Sequence, residues 1–148
     1  MDKDKLILKK RMQEARNIIK TIHGIIVVKI YEPDEGIISK IDYEKMGVYN
    51  STKKPDEIID LDVSEQWICD FIIRRTKVSK GAHIQLLLSN GIWTNVEITD
   101  VESFLMSVFL GNHSITFMDN DYKLMYELGT DSRDEYHLLY DEYIVVFN

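Results

Sequence analysis

Apolar residues near the start of the chain recur every three or four positions, which is the spacing of one face of an α-helix. These positions are Leu8, Met12, Ala15, Ile19 and Ile22. Asp2 or Asp4 can cap the helix, and Gly24 is a suitable residue to end it. Because the other face is rich in lysine and arginine, we expect the helix to pack on a sheet with a solvated basic back. Binding of that basic face to a membrane or a partner is the alternative.

The same periodicity predicts two further helices. Ser64 is a good N-cap for the second, and Thr99–Glu102 has the pattern of a capping box before the third. The apolar face of the second helix consists of Trp67, Ile68, Phe71 and Ile72. That of the third helix, which Gly111 ends, consists of Val101, Phe104, Leu105, Val108 and Phe109. Both faces are expected to pack in the core.

Runs of β-branched residues and turn signals predict the strands. Residues 25–31 are almost continuously apolar, which favours a central strand covered on both faces. A second strand is expected at 37–41, before a polar surface loop at 42–55. Asn90-Gly91 suits a two-residue turn inside a hairpin at 83–98, with Leu88 opposite Trp93. Neither face of that hairpin is cleanly apolar, so either both faces are partly covered or a bulge shifts the pairing.

The last third of the chain predicts another hairpin and two closing strands. With Asn120-Asp121 as the loop, one face of the hairpin is apolar and consists of Ile115, Phe117, Leu124, Tyr126 and Leu128. Strands at 136–140 and 143–147 follow an exposed turn. Strands grouped as hairpins predict an α+β fold, with an antiparallel sheet built from hairpins and about three helices packed mainly on one side. A length of 148 residues favours a single domain over 1–148.

Charge is distributed unevenly along the chain, whose formal net charge is −7. Residues 1–80 carry 16 Lys/Arg and 14 Asp/Glu, whereas residues 81–148 carry 2 and 11. An acidic half disfavours a nucleic-acid partner, because phosphate contacts need clustered positive charge. No apolar run approaches the roughly 20 residues of a membrane span, so we expect a cytoplasmic protein without a membrane partner. The single cysteine, Cys69, has apolar neighbours and is expected to be buried.

Catalytic and metal-binding motifs are missing from the sequence. The four histidines (His23, His83, His113 and His137) are scattered, with no spacing typical of a metal site. No glycine-rich phosphate-binding loop and no nucleophile-elbow pattern occurs. The sequence therefore predicts neither a cofactor nor a metal, and it favours binding over catalysis.

The segment from Asp119 to Asn148 is the candidate binding surface, because it combines eight carboxylates and five tyrosines with only two cations. Tyrosines are effective anchors at protein interfaces, and carboxylates attract a cationic partner. The predicted anchors are Tyr136, Tyr140 and Tyr143, and the predicted charged rim is Asp131, Asp134, Glu135, Asp141 and Glu142. An ordinary solvated sheet edge would have the same composition.

These features favour a non-catalytic acidic protein that inhibits or masks a basic protein. An immunity or antitoxin-type inhibitor of a nuclease toxin, or an inhibitor carried by a phage, is the expected form. The alternative is a small-ligand-binding domain or enzyme with a pocket between the sheet and loop 42–55. A homodimer formed through an exposed strand edge, such as 143–147, is a third hypothesis.

Overall fold

The chain folds around a seven-stranded sheet in which each pair of neighbouring strands is antiparallel. A computed structural model describes residues 2–131 and 133–148. The strands are β1 (Ile25–Ile30), β2 (Glu57–Asp60), β3 (His83–Leu87), β4 (Trp93–Ile98), β5 (Ile115–Asp119), β6 (Leu124–Asp131) and β7 (Asp134–Ile144). Their order across the sheet is β1-β4-β3-β5-β6-β7-β2. The predicted α+β class is confirmed.

The helices occupy both faces of the sheet, although the three longer ones share one face. They are α1 (Lys3–Ile19), α2 (Tyr43–Met46), α3 (Glu65–Thr76) and α4 (Val101–Asn112), with a 3₁₀ helix at Ile37–Lys40. Ala15 of α1, Phe71 of α3 and Phe104 of α4 pack together with sheet residues such as Leu86 and Phe117 in the larger core. Each of the three helix faces was predicted from its apolar spacing. The expected one-sided packing of the long helices is confirmed.

The N-caps explain where the predicted helices begin. The Asp2 carboxylate accepts a hydrogen bond from the Asp4 N–H at 3.1 Å. The Ser64 hydroxyl accepts one from the Trp67 N–H at 3.1 Å, as the sequence predicted. At α4 the cap is Asp100, whose carboxylate accepts from the Ser103 N–H at 3.1 Å. Each cap satisfies a backbone donor that has no partner within its helix.

The opposite face of the sheet is covered by the segment 37–48, which forms a second core with Trp93, Met118, Met125 and Tyr143. The Trp93 indole donates to the Tyr43 hydroxyl at 2.9 Å. The strand predicted at 37–41 is wrong, because those residues form the 3₁₀ helix and only Ile41 makes a β-bridge, to Phe147. Coverage on this side explains why neither face of the 83–98 hairpin is cleanly apolar.

The position of β1 also differs from the prediction. This strand lies at the edge of the sheet and pairs only with β4 among the described strands. Ile26 and Val28 are 54% and 56% exposed, so the strand is not covered on both faces. A continuous β-branched run identifies a strand, but the partners on its two sides come from distant parts of the chain. The register shift between Val27 and Lys29 is a bulge of the kind common at sheet edges.

The hairpin β3–β4 is displaced by one residue from its predicted register. Leu87 lies opposite Trp93, because the connection is a three-residue loop closed by a hydrogen bond from the Leu88 N–H to the Ile92 carbonyl at 2.8 Å. Gly91 has a φ of 84°, which this type of loop requires at its third residue. A bulge was one of the two explanations that the mixed faces of this hairpin suggested.

The face assignment of β5 and β6 is confirmed, although their loop is longer than predicted. Phe117 lies opposite Tyr126 in the larger core, and Met118 lies opposite Met125 in the second core. This register differs from the predicted one by two positions along the strand. Since side chains alternate with a period of two, a shift of two leaves each residue on its predicted face.

The proposed dimer edge at 143–147 is partly paired within the chain. Tyr143 lies opposite Met125, and Phe147 bridges to Ile41. Within the described residues, the ends of the sheet are instead β1 and β2.

Gly24 is expected to be the least replaceable glycine of the turns. It has a φ of 70°, and a β-carbon added there would lie 2.3 Å from the Asp100 backbone carbonyl oxygen. Gly47 has a φ of 87° and a ψ of 12°, which is the left-handed α region, and no neighbour within 4 Å of the same position, so it is the matched control. We expect Gly47→Ala to cost about 1 kcal/mol in unfolding free energy, from backbone strain alone. Gly24→Ala should cost clearly more in urea unfolding, and equal losses would contradict the close packing at Gly24.

Candidate functional site

Strand β7 carries most of the predicted partner-binding residues, and alternation divides them between its two faces. Tyr136 is 73% exposed, whereas Tyr140, Asp141 and Tyr143 are 1%, 1% and 4% exposed. The prediction that Tyr140 and Tyr143 anchor a partner and that Asp141 belongs to a charged rim is therefore wrong. The physical reason is that β7 lies between β6 and β2 and both faces of the sheet are covered.

Tyr140 is held on the helix-covered face by three different contacts. Its ring packs edge-on against Phe71 at a centroid distance of 5.2 Å, and the Arg75 guanidinium lies 5.0 Å above it. Its hydroxyl donates to the Glu142 carboxylate at 2.7 Å. Burial raises the pKa of the Tyr140 phenol far above its ordinary value, so the hydroxyl stays protonated. Arg75 also pairs with Glu142 at 3.3 Å, which compensates that carboxylate.

Asp141 lies on the other face of β7 and is the centre of a buried ion-pair network. Lys53, from the segment before β2, approaches its carboxylate at 2.7 Å, and the Arg133 guanidinium approaches at 2.5 Å. Arg133 also donates to Asp131 at 2.8 Å through Nε and to the Lys53 carbonyl at 3.0 Å. The Lys53 ammonium lies 5.2 Å above the Tyr143 ring. Two of the predicted rim carboxylates, Asp131 and Asp141, are thus neutralised within the chain.

Three carboxylates of this network, Glu127, Asp131 and Asp141, place oxygens within 4.8 Å of one another. Such a cluster could hold a cation, but Lys53 and Arg133 already contribute positive charge there. Hydrogen bonds from Arg133 hold the pKa of Asp131 below its usual value. Burial, followed by repulsion from Asp141 and Asp131, raises the pKa of Glu127. Lys53 and Arg133 therefore compensate the negative charges of Asp131 and Asp141, whereas the charged form of Glu127 is disfavoured.

A second group of carboxylates is carried by the end of β2, the start of β7 and the first two turns of α3 and α4. We call this group the acidic patch; it consists of Asp60, Asp62, Glu65, Asp70, Glu102, Asp134 and Glu135. The His137 ring joins Asp60 at 3.6 Å to Asp134 at 2.8 Å. The Gln66 amide joins Asp70 at 3.0 Å to Glu102 at 3.3 Å. In the part of the chain that the structure describes, no member of the acidic patch forms an ion pair with lysine or arginine.

An apolar cleft of about 210 Å³ opens between α3, α4 and β7, and Glu65 is the member of the acidic patch that lines it among the described residues. Its apolar lining is Leu61, Val63, Ile68, Met106, Phe109 and Leu138. Glu65 and His113 also line it. Tyr136 lies two residues before Leu138 on β7, so the two side chains share one face of the strand. Asp60 and His137 lie opposite each other in the β2–β7 ladder, next to the Ile59–Leu138 pair, and therefore belong to the other face.

Cys69 contributes to the cleft but has the character of a core residue. Its side chain is 2% exposed, which confirms the predicted burial. Burial, followed by repulsion from Glu102, Asp70 and Glu65, raises the pKa of its thiol to about 11. The thiol is therefore protonated at neutral pH, and a thiolate nucleophile is not supported.

The alternative pocket between the sheet and loop 42–55 is largely filled by side chains. Tyr43, Met46 and Val48 pack against the second core. A cavity of about 170 Å³ remains beside Tyr31, Tyr43 and Trp93 in the described residues. Pockets for metabolites and drug-sized ligands are usually about 300–1,000 Å³. This region therefore has less room than a typical ligand would need.

The acids of the acidic patch are visible in the sequence, but the sequence does not show which of them come together in the fold. Asp60 and Asp62 were visible as neighbouring acids that lead into the N-cap of α3. Glu102 is a first-turn acid of α4, and its proximity to α3 depends on how the two helices pack.

Among the described residues, no helix combines the length and apolar character needed to cross a membrane.

Comparisons with protein-family models, with curated proteins and with solved structures find no match to this chain.

Removal of the buried carboxylate should destabilise the fold. Asp141→Asn leaves Arg133 and Lys53 without their shared buried anion, and we expect a loss of about 3 kcal/mol in unfolding free energy. Glu135→Gln removes one charge from an exposed residue of the same strand and should change stability by about 0.5 kcal/mol or less. Urea unfolding at neutral pH compares the two variants. Similar small effects would show that the ion pairs around Asp141 contribute little.

Glu127→Gln should have the opposite effect, because its folded pKa is raised above the unfolded value. A group of this kind lowers stability at neutral pH, and the penalty disappears as pH falls through the folded pKa towards the unfolded one. We therefore expect Glu127→Gln to be more stable than the parent at pH 7 and to lose that advantage near pH 4. Urea unfolding across this range tests the sign. A variant that is less stable at pH 7 would overturn the assignment.

Proposed function

We propose that this protein is a non-catalytic acidic binding protein that inhibits or masks a basic protein partner through the acidic patch. The observation that carries the proposal is the set of seven surface carboxylates that have no lysine or arginine partner among the described residues. An immunity or antitoxin-type inhibitor of a nuclease toxin, or a phage-carried inhibitor, is the form that this chemistry favours. A nuclease needs a positive surface to bind its phosphate substrate, and that surface is complementary to the patch.

The contrast between the two groups of carboxylates supports the proposal. Asp131, Asp141 and Glu142 are matched by Arg133, Lys53 and Arg75. At the patch, the side chain that joins Asp60 and Asp134 is the His137 ring, and neither carboxylate pairs with lysine or arginine among the described residues. Like charges held together at a surface repel one another, and a cationic partner would relieve that repulsion.

Tyr136 and the apolar cleft give the patch a means of binding beyond charge alone. Charged groups at the rim of an interface mainly speed association, whereas buried aromatic and apolar anchors supply most of the affinity. Tyr136 is 73% exposed and lies beside Asp134 and Glu135. Of the residues predicted from the sequence, Asp134, Glu135 and Tyr136 therefore remain in the proposed surface. Inhibition would follow from occlusion of the partner's substrate-binding face.

A charge-reversal experiment tests the proposal. Basic proteins crosslinked to the protein in its native host are identified by mass spectrometry, purified one by one and measured for Kd. For the true partner, the triple variant Asp60→Lys, Asp62→Lys, Glu135→Lys should weaken binding at least 100-fold at moderate salt. Close charge pairs at interfaces are often coupled by about 1.5 kcal/mol or more each.

A matched control makes the same change of charge elsewhere. Glu14→Lys, Asp34→Lys and Glu44→Lys are exposed positions outside the patch and should weaken binding by less than 10-fold. Circular dichroism and urea unfolding confirm that both triple variants are folded. If both variants bind like the parent, or if both lose affinity equally, the acidic patch is not the binding surface.

A further inference from the structure

The geometry points to the cleft between α3, α4 and β7 as the receptor for one apolar side chain that is flanked by lysine or arginine on the basic partner. This inference rests on the proposed function and identifies the chemistry that the partner must present. Three properties of the cleft lead to it, namely its size, its lining and the sign of the charge around it.

The size of the cleft matches a side chain better than a free metabolite. Its volume of about 210 Å³ is below the roughly 300–1,000 Å³ of most ligand sites. Its walls are apolar side chains, among them Val63, Ile68 and Met106. Well-packed apolar pockets of this kind hold the anchor residues that dominate protein interfaces. A leucine, methionine or phenylalanine side chain has the shape and polarity to enter it.

The charge around the cleft selects the residues next to that anchor. Glu65 lines the cleft, and Asp70 and Glu102 are close enough to raise the pKa of the Cys69 thiol at its wall. The Gln66 amide holds Asp70 and Glu102 together across the two helices. Carboxylates in this arrangement repel the phosphates of a lipid or a nucleic acid. They favour an ammonium or guanidinium group placed one residue or one helical turn from the buried anchor.

The cleft shares an element with the exposed tyrosine of the proposed surface. Leu138 lines it, and Tyr136 lies two residues earlier on the same face of β7. Leu61, which also lines the cleft, is 50% exposed and stands between Asp60 and Asp62 in the sequence. A partner segment whose anchor fills the cleft would therefore contact Leu61 and Glu65 directly.

Three small probes with the same ring and different charges test the inference without the partner. The probes are 2-phenylethylammonium, the neutral 2-phenylethanol and the anionic 3-phenylpropanoate, titrated into ¹⁵N-labelled protein at low salt. We expect shifts of the amides of Val63, Ile68 and Met106, with the ammonium probe binding at least 5-fold more tightly than the alcohol. The anion should bind most weakly.

Two variants separate the role of charge from that of shape. Glu65→Gln with Glu102→Gln should bring the affinity for the ammonium probe down to that of the alcohol. The control, Glu14→Gln with Glu44→Gln, should leave the preference intact. Equal affinity of the parent for the ammonium and the alcohol, or shifts that lie away from the cleft, would overturn the inference.

A partner measurement distinguishes failure of this inference from failure of the proposed function. Met106→Trp narrows the cleft, and Ile68→Ala enlarges it. The ¹H–¹⁵N spectrum of each variant shows whether the fold is kept. We expect either folded variant to weaken partner binding at least 10-fold. If both bind like the parent while the charge-reversal triple variant does not, the cleft is not the receptor although the acidic patch still is the binding surface.

Discussion

The carboxylate of Asp141 connects parts of the chain that are far apart in sequence. It is 1% exposed and must be compensated, because an unpaired buried charge is strongly unfavourable. Lys53 comes from the segment that crosses the second face of the sheet, and Arg133 comes from the connection between β6 and β7. Pairing with both fixes where that segment enters β2 and where β7 begins. The same ion pairs compensate the charges of Asp141, which is buried, and of Asp131, which is half-buried.

The elements that depend on local pattern were predictable. The helix faces around Ala15, Phe71 and Phe104, the cap at Ser64 and the faces of β5 and β6 all follow from spacing within about 15 residues. The order of the strands does not, because β1 pairs with β4 almost 70 positions later in the sequence. Ile37–Lys40 was predicted as a strand but forms a 3₁₀ helix, in which Ile38 is buried in the second core with Trp93 and Met118 while Ile37 is 45% exposed. Tertiary packing overrides local propensity there.

The candidate site was only partly predictable for a related reason. Composition counts the acids of residues 81–148 but does not show which cations reach them. Lys53 and Arg75 come from the more basic half of the chain and neutralise Asp141 and Glu142 across the sheet. The excess charge that remains at the surface therefore differs from the excess charge in the sequence. Glu135 and Tyr136 stay exposed at the start of β7, and Asp134 is half-buried there.

Acids in the first turn of a helix have a purely structural explanation, because the helix N-terminus is the positive end of its dipole. Glu65 in α3 and Glu102 in α4 occupy such positions. That explanation does not extend to Asp60, Asp62 and Glu135, which lie outside the helices and raise the local negative potential further. Fold stability accounts for the two helix acids, but it gives no reason for the acids outside the helices. Under the proposed function a positive partner would compensate them, and Glu65 would place one carboxylate at the edge of the apolar cleft.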